Sequence, residues 1–163
     1  MRIVYIFLIN LTFLITSQAE TLEGKVVSVV DGNTFEILTK DKEKVKVMLY
    51  DVDSPELDQP HGKEAKVFVE KLLLKKKVKV ELKGKDRWGN KLAGIQLKNG
   101  SDLSTELVKS GFAWVGERYQ KLGQLKGFEN SAKDKKIGMW QNQEIVSPWV
   151  YRRKQTMLRA KGR

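Results

Sequence analysis

The sequence predicts an α+β fold: a three-stranded meander, a packed helix and two further strands forming a small barrel, then a mainly helical remainder. Three observations carry this reading. Apolar and polar residues alternate, or β-rich runs recur, over 22–30, 34–38 and 44–50. The period changes to three and four over 62–75, and alternation returns at 78–81 before a last β-rich run at 92–97. Alternation sets side chains on opposite faces of a strand, whereas a spacing of three and four lines one face of a helix.

Residues 22–30 are β-rich, and Asp31-Gly32 is a turn signal. In the next strand Phe35 and Ile37 share a face opposite Glu36, and Asp41-Lys42 makes the following turn. Val45 and Val47 then alternate with Lys44, Lys46 and Met48, as in a half-buried strand. Pro55 and Pro60 end the meander. Ala65, Phe68, Val69, Leu72 and Leu73 form one helical stripe, with Lys63, Glu64, Lys66, Glu70 and Lys71 opposite, so this helix packs on the sheet. Val78 and Val80 mark a fourth strand, and Trp88-Gly89-Asn90 turns the chain into a fifth. Three strands, a helix and two strands is the order of the OB-fold, a five-stranded and partly open barrel. Beyond it, Ser101 is expected to cap a helix bearing Leu103, Leu107 and Val108 and ended by Gly111. A second helix, over 123–136, has few apolar anchors. Residues 151–163 carry six cations and no acid, and are expected to lack order unless an anion binds them.

Length and charge bound the function. With 163 residues the chain fits one core. Lys+Arg 31 against Asp+Glu 20 leaves +11, which favours a polyanionic partner, nucleic acid or an anionic membrane surface, although lysines also serve solubility. Arg2, the apolar run that follows and Ser17-Gln18-Ala19 have the form of an export signal over 1–19, cleaved before Glu20. The run falls short of the roughly 20 residues that span a bilayer. This divides the chain into a signal (1–19), a domain (20–150) and a basic tail (151–163). The absence of cysteine excludes a disulfide framework and a lipid-modified cysteine. With His61 as the sole histidine, a histidine-cluster metal site and a His-paired nucleophile are excluded too.

Val29-Val30-Asp31-Gly32-Asn33-Thr34, Asp53-Ser54-Pro55-Glu56 and Asp86-Arg87-Trp88-Gly89-Asn90 follow one another in the order and spacing of a known family. So do Gln59-Pro60-His61-Gly62-Lys63-Glu64-Ala65-Lys66, Gly111-Phe112-Ala113-Trp114, Gly138-Met139-Trp140 and Pro148-Trp149-Val150-Tyr151-Arg152-Arg153. Together they resemble the staphylococcal nuclease (thermonuclease) family over nearly all of the chain that follows the signal. The resemblance implies a staphylococcal-nuclease-like OB-fold and calcium-dependent cleavage of DNA and RNA phosphodiesters. It implies metal ligands at Asp53, at the Ser54 carbonyl and at position 33, and a general base at Glu56. It also implies phosphate-binding arginines at positions 48 and 90. A phosphodiester gaining water builds negative charge on its oxygens, so a divalent ion and fixed cations belong beside them.

Here the set is degenerate. Asn33 offers an amide oxygen without charge, and Met48 and Asn90 cannot act as cations. Arginines of this kind are worth roughly 10³–10⁵ in rate. Asp51, two residues before Asp53, shares its face if the strand continues and can then replace the missing carboxylate; otherwise it is a solvated strand-end acid. Lys91 or Arg87 can supply a displaced cation. Trp88, flanked by Lys85, Arg87 and Lys91, and Tyr119 fit an aromatic platform in a cationic rim, or else pack on their neighbours. The expectation is an exported, monomer-sized domain that binds DNA or RNA non-specifically, with weak or no calcium binding and hydrolysis lost or strongly weakened. Two alternatives stay open: a working metal-dependent endonuclease with a rearranged site, and an envelope protein-interaction module whose basic tail touches an anionic surface.

Overall fold

The computed structural model describes residues 20–119, 123–142 and 144–162; the expected export signal at 1–19 lies outside them. In chain order the elements are β1 (Thr21–Val29), β2 (Thr34–Thr39), β3 (Lys44–Leu49), β4 (Val52–Asp53), α1 (Gly62–Leu73), β5 (Lys77–Lys85), β6 (Lys91–Gln96), α2 (Leu103–Lys109), β7 (Trp114–Val115), α3 (Gly123–Asp134) and α4 (Pro148–Lys161). The α+β, OB-type architecture expected from the sequence is the one observed. The barrel is closed rather than partly open, in the order β1-β2-β3-β6-β5. Closure comes from the parallel pairing of β3 with β6, Val47 opposite Lys91 and Leu49 opposite Ala93; the remaining barrel pairs are antiparallel.

The alternation of the sequence becomes the barrel interior. Val26 faces Ile37 across β1 and β2, Phe35 faces Val47 across β2 and β3, and Val80 faces Ile95 across β5 and β6, all buried. Burying an aliphatic or phenyl side chain of this size contributes roughly 1.5–3 kcal/mol. α1 sets Ala65, Val69 and Leu73 inward, as its stripe requires, and Phe68 meets Phe112 with ring centroids 5.0 Å apart. α2 adds Leu103, Leu107 and Val108 to the same core. Gly111 and Gly138 both have positive φ. A Cβ on Gly111 would lie 2.2 Å from the Ile137 carbonyl oxygen, so this close backbone crossing requires glycine.

Two expectations are corrected and one element is added. Asp102, not Ser101, caps α2: its carboxylate accepts the Thr105 N–H at 2.9 Å, while the Ser101 hydroxyl turns to Asn99. Both residue types cap helices; packing of Leu103 in the core sets the helix start one residue later. A two-stranded sheet that periodicity did not announce pairs β4 with β7, placing Val52 opposite Val115 and Asp53 opposite Trp114. Finally, the tail expected to lack order is helical to Lys161. Pro148 starts α4 with its φ already helical, and the side chains described next fasten it.

Candidate functional site

The site lies where the β1–β2 loop meets the segment after β3. Asp31 closes its own turn by accepting the Asn33 N–H at 2.9 Å. Gly32 presses on Ser54: a Cβ there would stand 2.5 Å from the Ser54 Cβ, so the loop can approach only as glycine. After β3 the chain bends at Tyr50 and Asp51, and the short β4–β7 pairing then presents Asp53. A turn follows, in which Gln59 donates to the Glu56 carbonyl at 2.9 Å and its side-chain oxygen accepts the Glu56 N–H at 3.2 Å. Gly62 completes it, since a Cβ there would overlap the Glu56 carbonyl oxygen.

The C-terminal segment straps this turn at several points. Gln59 Nε2 donates to the Val146 carbonyl. Asn142 Nδ2 lies 2.7 Å from His61 Nε2, and the Tyr151 hydroxyl donates to the Asp58 carbonyl at 3.3 Å. Then α4 delivers Arg152. Its Nη2 donates to Asp53 Oδ2 at 2.6 Å, and its Nη1 to Asp53 Oδ1 at 3.2 Å and to Glu56 Oε1 at 2.6 Å. One guanidinium thus holds both acids that the sequence singles out, in the forked geometry that suits arginine and carboxylate.

The electrostatics follow. Burial pushes the Asp53 carboxyl up; the hydrogen bond and charge of Arg152 pull it back only part of the way, and Asp31 adds repulsion. Burial also works against the charge on Arg152, but hydrogen bonding and attraction from Asp53, then Glu56, outweigh it and raise its pKa above the ordinary value. Arg152 is therefore a firmly charged cation seated between two acids.

Of the residues expected at the site, Asp53, Ser54, Glu56 and Asn33 surround this junction, through the packing of Gly32 on Ser54 and the charge of Asp31 beside Asp53. Met48 stands beside it on β3, paired with Thr34 and Leu92. Asn90 is absorbed by its own turn: its Nδ2 donates to Asp86 Oδ2 at 2.8 Å, while Asp86 Oδ1 takes the Trp88 and Asn90 N–H groups at 2.9 Å each. Lys85 and Lys91 face each other across the β5–β6 ends. The Arg87 guanidinium lies 4.0 Å from the Trp88 ring centroid, and Trp88 is 71% exposed. Tyr119 packs edge-on against Tyr50 at 5.4 Å.

Asp51 is neither a partner of Asp53 nor a solvated acid. It is buried, and its Oδ1 accepts the Ser104 hydroxyl of α2 at 2.6 Å. The bend at Tyr50 and Asp51 breaks the strand parity on which a shared face depends. Burial raises the Asp51 carboxyl above its ordinary value, more than Ser104 lowers it. The folded chain therefore holds this proton more tightly than the unfolded one, and the residue's contribution to stability falls as pH rises through its folded pKa. Asp51→Asn keeps an acceptor for Ser104 and removes the buried charge. It should be more stable than the parent at pH 7, with the difference vanishing in acid below the unfolded carboxyl value near ~3.9; thermal unfolding across pH checks this.

The sequence reading missed Arg152 and Asp31. Arg152 stands inside the Pro148–Arg153 motif, yet counted only as a tail cation, and Asp31 only as a turn former. The donor set as built does not fit a calcium ion, which takes six to eight oxygens. Both Asp53 oxygens are held by Arg152, Asn33 adds no charge and Asp51 is turned to Ser104. Among the described residues no three acidic, histidine or cysteine side chains gather as a metal cage.

Comparison with known proteins agrees with the fold. The family described as staphylococcal nuclease homologue matches residues 46–142. A protein of Escherichia coli O157:H7 called an uncharacterized endonuclease is 32% identical over 131 residues, covering 80% of this chain and 85% of that protein. One of the same description from Haemophilus influenzae is 31% identical over 148 residues, 91% of this chain and 83% of the other. A micrococcal nuclease of Shigella flexneri is 30% identical over 140 residues, 80% of each.

Proposed function

The chain belongs to the staphylococcal nuclease family, and from that premise we propose that it is an exported protein that binds nucleic acid at the family's ligand surface, with Trp88 and the cations beside it, and hydrolyses phosphodiesters weakly or not at all. The observation that carries this reading is the guanidinium of Arg152 on both Asp53 and Glu56. A carboxylate that must hold and deprotonate water acts poorly as a base while it is neutralised by a forked arginine. The two phosphate-facing arginines implied by the family are Met48 and Asn90 here, so charge built on phosphoryl oxygens has no fixed partner at either position.

Binding is less demanding. Trp88 offers an open π-face beside Arg87, and stacking of this kind is worth roughly 1–3 kcal/mol per base with little sequence preference. Trp88→Ala should therefore weaken binding of a single-stranded oligonucleotide about tenfold, measured by fluorescence anisotropy at low salt. Export rests on the Ser17-Gln18-Ala19 pattern; N-terminal sequencing of protein recovered outside the cytoplasm should find Glu20 first.

One observation favours a working enzyme instead: Arg152 sits against the acids of the site, where a cation displaced from β3 would be useful. The two readings separate on a nuclease assay of the mature protein with calcium, magnesium or manganese. The weak-hydrolysis reading expects trace cleavage that neither Glu56→Gln nor Arg152→Gln changes. Strong cleavage lost in both variants would establish the rearranged enzyme.

A further inference from the structure

At the end of the barrel away from Asp53, the start of β1, the end of β2, the start of β5 and the end of β6 enclose an open groove of about 430 Å³. Asn33 and Lys40 bracket β2, so the two ends stand roughly 20 Å apart at 3.3 Å per residue. Lys25, Lys40, Lys77, Lys79 and Lys98 line the groove, with Glu23 as its only acid. Glu23 pairs with Lys40 at 3.2 Å rather than with Lys79, its cross-strand neighbour. Among the described residues, Lys25, Lys77, Lys79 and Lys98 have no ion-pair partner.

A second observation is independent of the groove's shape. Lys25 and Lys77 lie directly opposite each other across β1 and β5, and like charges at paired positions destabilise a sheet. Charge balance within the fold leaves this pair unrelieved; a polyanion seated on it would relieve it. We infer that this groove is a second nucleic-acid contact, which takes the phosphate backbone and reads no sequence. The groove has no aromatic lining on which bases could stack. Its apolar lining, Leu38, Val78 and Leu97, is at most half-exposed, and none of the large exposed apolar side chains among the described residues lies in it, so it presents no protruding apolar group to insert into a membrane. Lysines two apart along a strand and on neighbouring strands form a grid of about 5 by 7 Å, within reach of successive phosphates on a flexible strand.

The test uses the full chain and a 30-nucleotide single strand, with binding followed against salt. Lys25→Gln, Lys77→Gln and Lys79→Gln together should reduce the slope of log affinity on log salt by about 2, since each phosphate contact on a single strand contributes about 0.7. A control removing the same charge elsewhere, Lys63→Gln, Lys71→Gln and Lys135→Gln, should leave the slope nearly unchanged, as should Trp88→Ala. The groove variant should unfold at the parent's temperature or above, because it loses the Lys25–Lys77 repulsion. Equal slopes in groove and control variants would overturn the inference while leaving binding at Trp88 and Arg87 intact; failure of the parent to bind would remove both. Capture by phosphatidylglycerol vesicles that is lost only in the groove variant, with oligonucleotide binding unchanged, would reassign the surface to membranes.

Discussion

Met48→Arg, Asn90→Arg, Asn33→Asp and Arg152→Gln introduced together are expected to raise phosphodiester cleavage in calcium by roughly 10³-fold or more, the scale of a single well-placed arginine in phosphoryl transfer. Each change answers a specific feature. Met48 stands on β3 beside the loop that carries Asn33, so an arginine there can reach the phosphate. Asn90→Arg gives up the Nδ2 bond to Asp86, but Asp86 keeps the Trp88 and Asn90 N–H groups, and Gly89 keeps the positive φ that the turn needs. Asn33→Asp adds the second acid, and Arg152→Gln frees Asp53 and Glu56 from their internal cation. The three gains without Arg152→Gln should fall well short of the four, because the carboxylates stay occupied. Groups that act as one unit are not additive, so no single change should suffice. Adding Glu56→Gln should abolish the gain; a fourfold variant that stays inert in a discontinuous oligonucleotide assay would refute the account of the degenerate site.

Glu129→Ala is expected to cost about 3 kcal/mol of stability, the scale of losing a buried, charge-assisted hydrogen-bond network. The Glu129 side chain is fully buried although its helix looks weakly anchored in sequence. Its Oε1 accepts the Val115 N–H at 3.1 Å; its Oε2 meets Lys126, and Lys133 at 3.1 Å. Val115 belongs to β7, whose pairing holds Asp53 opposite Trp114. The loss should therefore reach the site as well as the fold. Glu129→Gln, which keeps an acceptor for Val115, should recover part of the stability in urea unfolding and part of the binding. Equal loss in both variants would mean that charge, not the backbone bond, anchors β7.

Local pattern determined much of this protein. Alternation and the three-to-four stripe of 62–75 specify the barrel strands and α1, because each strand or helix must bury one face and the spacing of apolar residues names that face. The motifs around Asp31 and Asp53 likewise mark the loops that meet at the candidate site, since the close approach of Gly32 to Ser54 is written in a single residue. Tertiary structure alone decided the rest. Parity failed at Asp51 because a two-residue bend, held by Gly116 donating to the Asp51 carbonyl, turns the side chain to Ser104. Composition failed at 151–161 because a cationic segment without apolar anchors can still be ordered by hydrogen bonds whose partners, Asp53, Glu56 and Asp58, lie more than ninety residues away. The same distance hid Arg152: a cation is legible in a sequence, but the acid that it neutralises is set by where the chain returns.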